Sequence, residues 1–203
     1  FSVSINRVQD SSMGYFISPI FSVLFGYIFF KESFSKVQIL SLFLIILAIL
    51  NLIFNIGYIP WIALSLATTW SLYGLLRKKI KVDSEVGLFF ETAALSPFFL
   101  YYLYTLEQQN IAYFEFKFSI ISFYLIGGGL VTLIPLFFFN KGIKMIPLSI
   151  SGLIFYLVPT LQFLTSIIIL KEPISFIKII SFILIWIAVI IFINESIKNN
   201  NKI

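Results

Sequence analysis

The chain has 203 residues, of which 60% are hydrophobic and 11% charged, with a mean hydropathy of +1.03. Soluble domains carry about 45–50% apolar and about 25% charged residues, so a water-soluble globular protein is excluded and a lipid bilayer is the solvent this composition fits. The chain has no Cys and no His, which removes thiol nucleophiles, disulfides, imidazole or thiolate metal sites and His general bases. No catalytic residue, metal site or cofactor is therefore assigned. The net charge of +5 lies in short loops between apolar runs, where membrane topology places Lys and Arg, so nucleic acid is not expected as a partner. Lys outnumbers Arg 12 to 2 and Ile, Phe and Asn abound. That bias reads as AT-rich codon usage, so the aromatic content marks no site by itself.

Apolar runs of about 18 residues or more read as helical spans. Seven are predicted, over roughly 11–30, 37–54, 60–76, 86–106, 119–140, 148–170 and 174–194. Residues 1–6 read as the tail of an earlier helix. The first run carries Ser11, Tyr15, Ser18, Pro19, Ser22 and Gly26 on one small or polar stripe. Such stripes serve close helix packing or line a pathway, and both readings stand. Lys31-Glu32 closes the run, and Ser35 with Gln38 three residues later predicts a capping box opening the next helix. The third run has Ser65, Thr69 and Tyr73 at i, i+4 and i+8, with Trp61 as an interface residue and Trp70 beside Tyr73 as the wall of an aromatic-tolerant pocket. RKKIK at 77–81 reads first as a topology anchor, with a phosphate or lipid-headgroup site as the lesser alternative.

Glu91 is the acidic residue clearly inside a span. A carboxylate at mid-membrane costs about 2.5–3.5 kcal/mol. Five residues from the helix end, at about 1.5 Å each, put Glu91 roughly 8 Å deep. Two readings remain: a proton or substrate-cation site facing a cavity, or a shallow carboxylate pairing with Lys78, Lys79 or Lys81. The connector over about 107–118 is polar with aromatics. Gly127, Gly128 and Gly129 predict tight helix contact, and no phosphate-loop pattern is present. The sixth run carries Ser151, Gly152, Tyr156, Pro159, Gln162 and Ser166, and Lys171-Glu172 closes it. Pro19, Pro159, Pro97 and Pro135 each remove a helical N–H and free a carbonyl.

Loop charge sets the orientation. Lys31, Lys36, Arg77, Lys78, Lys79, Lys81, Lys141, Lys144, Lys198 and Lys202 fall on one side; Arg7, Lys117, Lys171 and Lys178 fall on the other. Ten against four places the first group and the C-terminus in the cytoplasm.

The chain also repeats itself. A shift of 140 puts Pro19 on Pro159, Lys31-Glu32 on Lys171-Glu172, Ser35 on Ser175, Ser41 on Ser181 and Ala48 on Ala188, with 13 identities in the 44 positions of 11–54 against 151–194. The later copy closes a block of five helices and the earlier one closes a block of which two helices and a stub are present. Ten helices are expected in all, with roughly 80–90 residues before Phe1. The fold class expected is all-α: a polytopic membrane helical bundle, an inverted repeat of five helices. Its parts would be 1–54 as the C-terminal part of the first repeat, 60–194 as the complete second repeat, and 195–203 as a cytoplasmic tail. Inverted repeats with broken helices are typical of secondary transporters.

The segments DSSMGYFISP, YGLLRKKIKVD, GLFFET and GGGLVTLIPL…VPTLQF resemble the EamA-type transporters of the drug/metabolite transporter superfamily, and within them the RarD branch. The resemblance covers essentially the whole chain. It implies a ten-helix permease of the bacterial inner (plasma) membrane and carries Gly14, Tyr15, Pro19, Glu32, Tyr73, Arg77, Lys78, Lys79, Glu91, Pro159 and Glu172 onto family positions. The chain departs from the pattern at Ser18, where Asn is frequent, at Lys31 and Lys171, where Gly is frequent, and at Phe155, where Gln is frequent.

The function expected is a secondary transporter of small organic metabolites or drug-like compounds, working by alternating access around a cavity lined by the 11–30, 60–76, 119–140 and 148–170 helices. The substrate-binding or coupling candidates are Glu91, Tyr15, Ser18, Thr69, Tyr73, Tyr156 and Gln162. The helix-kink or gating candidates are Pro19, Pro159, Glu32 and Glu172. A small-molecule substrate is the expected partner and a proton the candidate coupling ion. The alternative is a non-transporting membrane protein, either a structural subunit or a membrane enzyme. The lack of His and Cys and the single carboxylate inside a span argue against an enzyme.

Overall fold

The computed structural model describes residues 8–109, 114, 119–168 and 176–200, with side chains for all of these except 8–12, 56, 162, 163, 166, 167, 177, 178 and 200. The described residues form eight helices: α1 Val8–Phe30, α2 Lys36–Ile56, α3 Trp61–Lys79, α4 Ser84–Gln108, α5 Ile120–Gly142, α6 Leu148–Ile154, α7 Leu157–Ile168 and α8 Phe176–Asn200. In α1, α2, α4, α5 and α8 there are stretches long and apolar enough to cross a membrane. The third predicted span is α3, whose last turn carries Arg77, Lys78 and Lys79. The sixth span is not one helix but two, α6 and α7, interrupted at Phe155 and Tyr156.

The chain separates into two compact units. One holds α1, α2, α3 as far as Arg77, and α6 to α8. The other, Lys78–Met145, holds α4 and α5.

In the first unit the repeat is visible as packing. The buried face of α2 consists of Ser41, Ile45, Ala48, Ile49 and Leu52, with Gln38 at its start; that of α8 includes Ser181, Ile185, Ala188, Val189 and Phe192. Each of these five α8 positions is an α2 position plus 140. The two helices pack on each other and run antiparallel. Gln38 Nε2 donates to Ser196 Oγ at 2.7 Å, and Asn51 Nδ2 donates to Ser181 Oγ at 3.3 Å. Lipid offers no hydrophobic drive between helices, so small residues and interhelical hydrogen bonds carry such a seam. The outward faces are apolar, with Phe43, Leu47, Leu50 and Phe54 on α2 and Ile183, Ile187 and Ile190 on α8.

The expected cap is present at the start of α2. Gln38 N donates to Ser35 Oγ at 3.2 Å and Ser35 N donates to Gln38 Oε1 at 2.8 Å. The helix ends at Gly57, whose φ of 76° is left-handed.

In the second unit, Ser119 caps α5 by accepting from Ser122 N at 3.1 Å. Lys78 Nζ donates to Ile143 O at 2.9 Å, and Lys144 Nζ donates to Val82 O. Part of the basic loop charge is thus tied to backbone carbonyls. Gly127, Gly128 and Gly129 have no close neighbour among the described residues: apart from their own helix backbone, no heavy atom of these lies within 4 Å of where a Cβ would stand. The described part of α5 around them is largely exposed. Pro97 and Pro135 lie inside helices that continue through them.

Candidate functional site

The residues of interest in the first unit gather where α1, α3 and the α6–α7 corner meet. Pro19 has no N–H to give the carbonyl of Tyr15, yet α1 runs on unbroken. Hydroxyls crowd the backbone there. Ser71 Oγ on α3 donates to Ser18 O at 2.8 Å, Ser22 Oγ donates to the same oxygen at 3.1 Å, and the two hydroxyls are 3.4 Å apart. Ser18 Oγ is buried and has no hydrogen-bond partner among the described residues.

Pro159 acts differently. It cannot donate to Phe155 O, and the chain tightens into i→i−3 bonds: Phe155 N to Gly152 O and Tyr156 N to Leu153 O, both at 3.1 Å, and Val158 N to Phe155 O at 3.0 Å. Regular bonding resumes with Thr160 N to Tyr156 O at 3.2 Å. The tight turn frees Tyr156 to cross to α1, where its hydroxyl donates to Phe16 O at 3.1 Å. Tyr156 is fully buried. One turn earlier, Gly152 lies against α1 so closely that a Cβ would stand 2.4 Å from Ser22 Cβ and 3.3 Å from Pro19 O. Only glycine permits that approach.

Four rings from these elements form a row. Tyr15 and Phe155 have centroids 6.1 Å apart, Phe155 and Trp70 5.2 Å at 32°, and Trp70 and Tyr73 5.7 Å at 31°. All four are half-buried. Arg77 closes the row: its Nε donates to Tyr73 Oη at 3.1 Å, its guanidinium carbon is 5.6 Å from the ring centre, and the residue is buried.

Glu32 follows the end of α1. Its Oε1 accepts from Leu148 N at 2.6 Å and its Oε2 from Ser149 N at 3.1 Å, both at the start of α6.

The structure thus brings Tyr15, Ser18, Pro19, Tyr73, Tyr156 and Pro159 to one junction, with Glu32 at its edge. Thr69 is exposed and its hydroxyl is engaged by its own helix, donating to Ser65 O at 2.9 Å and Leu66 O at 3.1 Å. The α3 face that packs inward is instead Ala63, Ala67, Ser71 and Gly74. Glu91 is an exposed residue of α4, in the other unit. The Gln162 side chain and Glu172 lie outside the described residues. Ser71 and Gly152 contribute more than their sequence context suggests. The signal for Ser71 is its place on the four-residue spacing of small residues in α3.

An all-helical chain with several spans, broken at a proline and folded on its own repeat, defines a polytopic helical membrane protein. Residues 58–194 match the EamA-like transporter family. Over 201 residues the chain is 33% identical to Protein RarD of Escherichia coli, covering 99% of this chain and 68% of that protein. It is 34% identical over 197 residues to an uncharacterized transporter of Vibrio cholerae, covering 97% and 65%. It is 33% identical over 189 residues to the uncharacterized transporter YojE of Bacillus subtilis, covering 93% and 63%. The chain belongs to the EamA-like transporter family and is a multi-pass membrane protein of the transporter class.

Proposed function

We propose that the protein is a secondary transporter of small organic metabolites or drug-like compounds, working by alternating access. The observation that supports this most directly is the antiparallel meeting of α1 with its repeat mate α6–α7, at which one of the two helices is broken. Broken helices at a repeat interface are where transporters of inverted-repeat design place substrate. The half-buried row Tyr15, Phe155, Trp70 and Tyr73 is the surface on which such a solute would lie, with Ser18 next to Pro19 on α1 and Tyr156 and Gln162 on the mate. Pro19 and Pro159 are the hinge positions, and Thr69 and Glu172 complete the candidate set. Glu91 on α4 is the candidate proton carrier. Residues 1–54 close the first repeat, 60–194 form the second, and 195–203 are a tail facing the cytoplasm from the bacterial inner membrane, an orientation that rests on loop charge.

Flux of a panel of labelled solutes into proteoliposomes, with and without an imposed pH gradient, tests the reading. Saturable, gradient-sensitive flux of at least one solute supports it, and loss of that sensitivity in Glu91→Gln at normal abundance supports the proton role. No flux across a broad panel counts against transport.

A further inference from the structure

We infer that Glu32 is a positioning residue that latches the end of α1 onto the start of α6, and that this latch must open for the two repeat mates to part at the membrane face carrying Lys31; the inference rests on the alternating-access reading. The first amides of any helix lack intrahelical acceptors, and the helix start attracts negative charge. A helix normally meets that need from the residue just before it. For α6 that residue is Pro147, which makes no side-chain cap bond. The need is met instead from 116 residues away, by one oxygen of Glu32 on Leu148 N and the other on Ser149 N. Leu148 and Ser149 are only 1% and 2% exposed, so water is poorly placed to substitute.

Two features of α1 shape the delivery. Lys31 takes a left-handed φ of 55°, which reverses the chain just after the helix, and Glu32 N donates back to Gly26 O at 3.2 Å. The carboxylate then lies over Gly26, where a Cβ would come within 2.7 Å of Oε2. Gly26 is therefore the recess that admits the carboxylate.

A cap supplied by the preceding residue would travel with α6 whatever the rest of the protein did. A cap supplied by the other repeat breaks when α1 and α6 separate. The far end of α6 is the turn at Phe155 and Tyr156, seven residues and about 10 Å along the helix. What Glu32 holds at Leu148 therefore bears on where the Phe155 ring meets Tyr15 on α1 and Trp70 on α3.

The absence of cysteine makes the test clean. A single Ser149→Cys reporter is labelled with a membrane-impermeant maleimide, applied in turn to right-side-out and inside-out vesicles. Labelling from the Lys31 face is expected to be slow with Glu32 intact and at least about tenfold faster in Glu32→Gln, whose amide nitrogen cannot accept from the second backbone N–H and whose remaining oxygen is uncharged. Gly26→Ala, which fills the recess, should speed labelling similarly, but should do nothing further in a Glu32→Ala background. Unchanged labelling in Glu32→Gln, or an equal effect of Gly26→Ala in both backgrounds, overturns the latch. Should Glu32→Gln not accumulate in the membrane, the Gly26→Ala comparison decides alone. The readout needs no substrate, so a protein that labels as expected yet moves no solute sinks the transport reading and leaves the latch standing. For any solute that wild type does move, Glu32→Gln should change maximal flux more than KM, which a merely structural cap would not do selectively.

Discussion

The hydroxyl of Tyr156 donates to the carbonyl of Phe16, its counterpart 140 positions earlier, at 3.1 Å. Repeat mates that touch lie on the line about which the two copies are related. Their neighbours follow the same rule, for Tyr15 meets Phe155, also 140 positions on. Along this line α1 and α6 are closest, and the packing there should be least tolerant.

Tyr156→Phe keeps the ring and removes the hydroxyl. It should lower stability by about 1 kcal/mol, the net worth of a typical hydrogen bond. Tyr156→Ala empties a fully buried site and should cost about 3–5 kcal/mol. Thermal unfolding in detergent, followed by loss of the monodisperse peak, reads both; equal effects of the two variants would contradict the assigned bond.

Gly152→Ala should destabilise by about 1–3 kcal/mol, the usual cost of overpacking, because its new methyl would lie 2.4 Å from Ser22 Cβ. Adding Ser22→Gly should recover part of the loss. Gly128→Ala, with open space beside it, should be neutral. A Gly128 variant as damaging as the Gly152 variant would show that helix-backbone effects, not the contact with α1, govern the outcome.

Gln38→Ala should cost more than Asn51→Ala. Gln38 completes the cap of α2 and also bridges to Ser196, whereas Asn51 makes a single bridge to Ser181. Interhelical hydrogen bonds in membranes average about 0.6 kcal/mol, and the cap adds about 1 kcal/mol. Paired unfolding curves check the ranking, and Ser196→Ala should match the smaller of the two effects.

Trp70→Ala opens the middle of the ring row while leaving α3 attached to α1 through Ser71. For any solute transported by wild type, KM should rise several-fold at unchanged abundance. Trp70→Phe, which keeps a flat ring, should restore most of the affinity. Unaltered KM in Trp70→Ala would remove the row from the pathway.

The repeat was readable from the chain because it rests on residues that few positions tolerate by chance: Pro, a Lys-Glu pair and a cap Ser. The five buried positions shared by α2 and α8 are its physical cause. The helices and the cap at Ser35 were readable for the same local reasons. Pro19 and Pro159 both stand out as kink candidates, but which of them breaks its helix was not readable. Pro19 and Pro159 look alike in sequence, and both lose one N–H. Yet α1 continues as one helix through Pro19, where the Ser71 and Ser22 hydroxyls bond to Ser18 O, while the chain after α6 turns and sends Tyr156 across to α1. On α3, two four-residue stripes compete. The polar one, Ser65, Thr69 and Tyr73, draws the eye, yet of its members only Tyr73 reaches the junction, whereas the small one, Ala63, Ala67 and Ser71, packs. Helical periodicity names the stripes and cannot choose between them. The partner of Glu32 lies 116 residues away and has no signature in local spacing, because backbone amides look the same in every sequence.

The seam between α2 and α8 buries the same five positions on both sides. A surface with that property is self-complementary, as the interface of a two-fold homodimer must be. Each helix thus encodes the mould of its own partner. A synthetic peptide of α2 added during membrane insertion should compete for the seat of α8, and a single altered residue in one copy has a natural compensating position in the other.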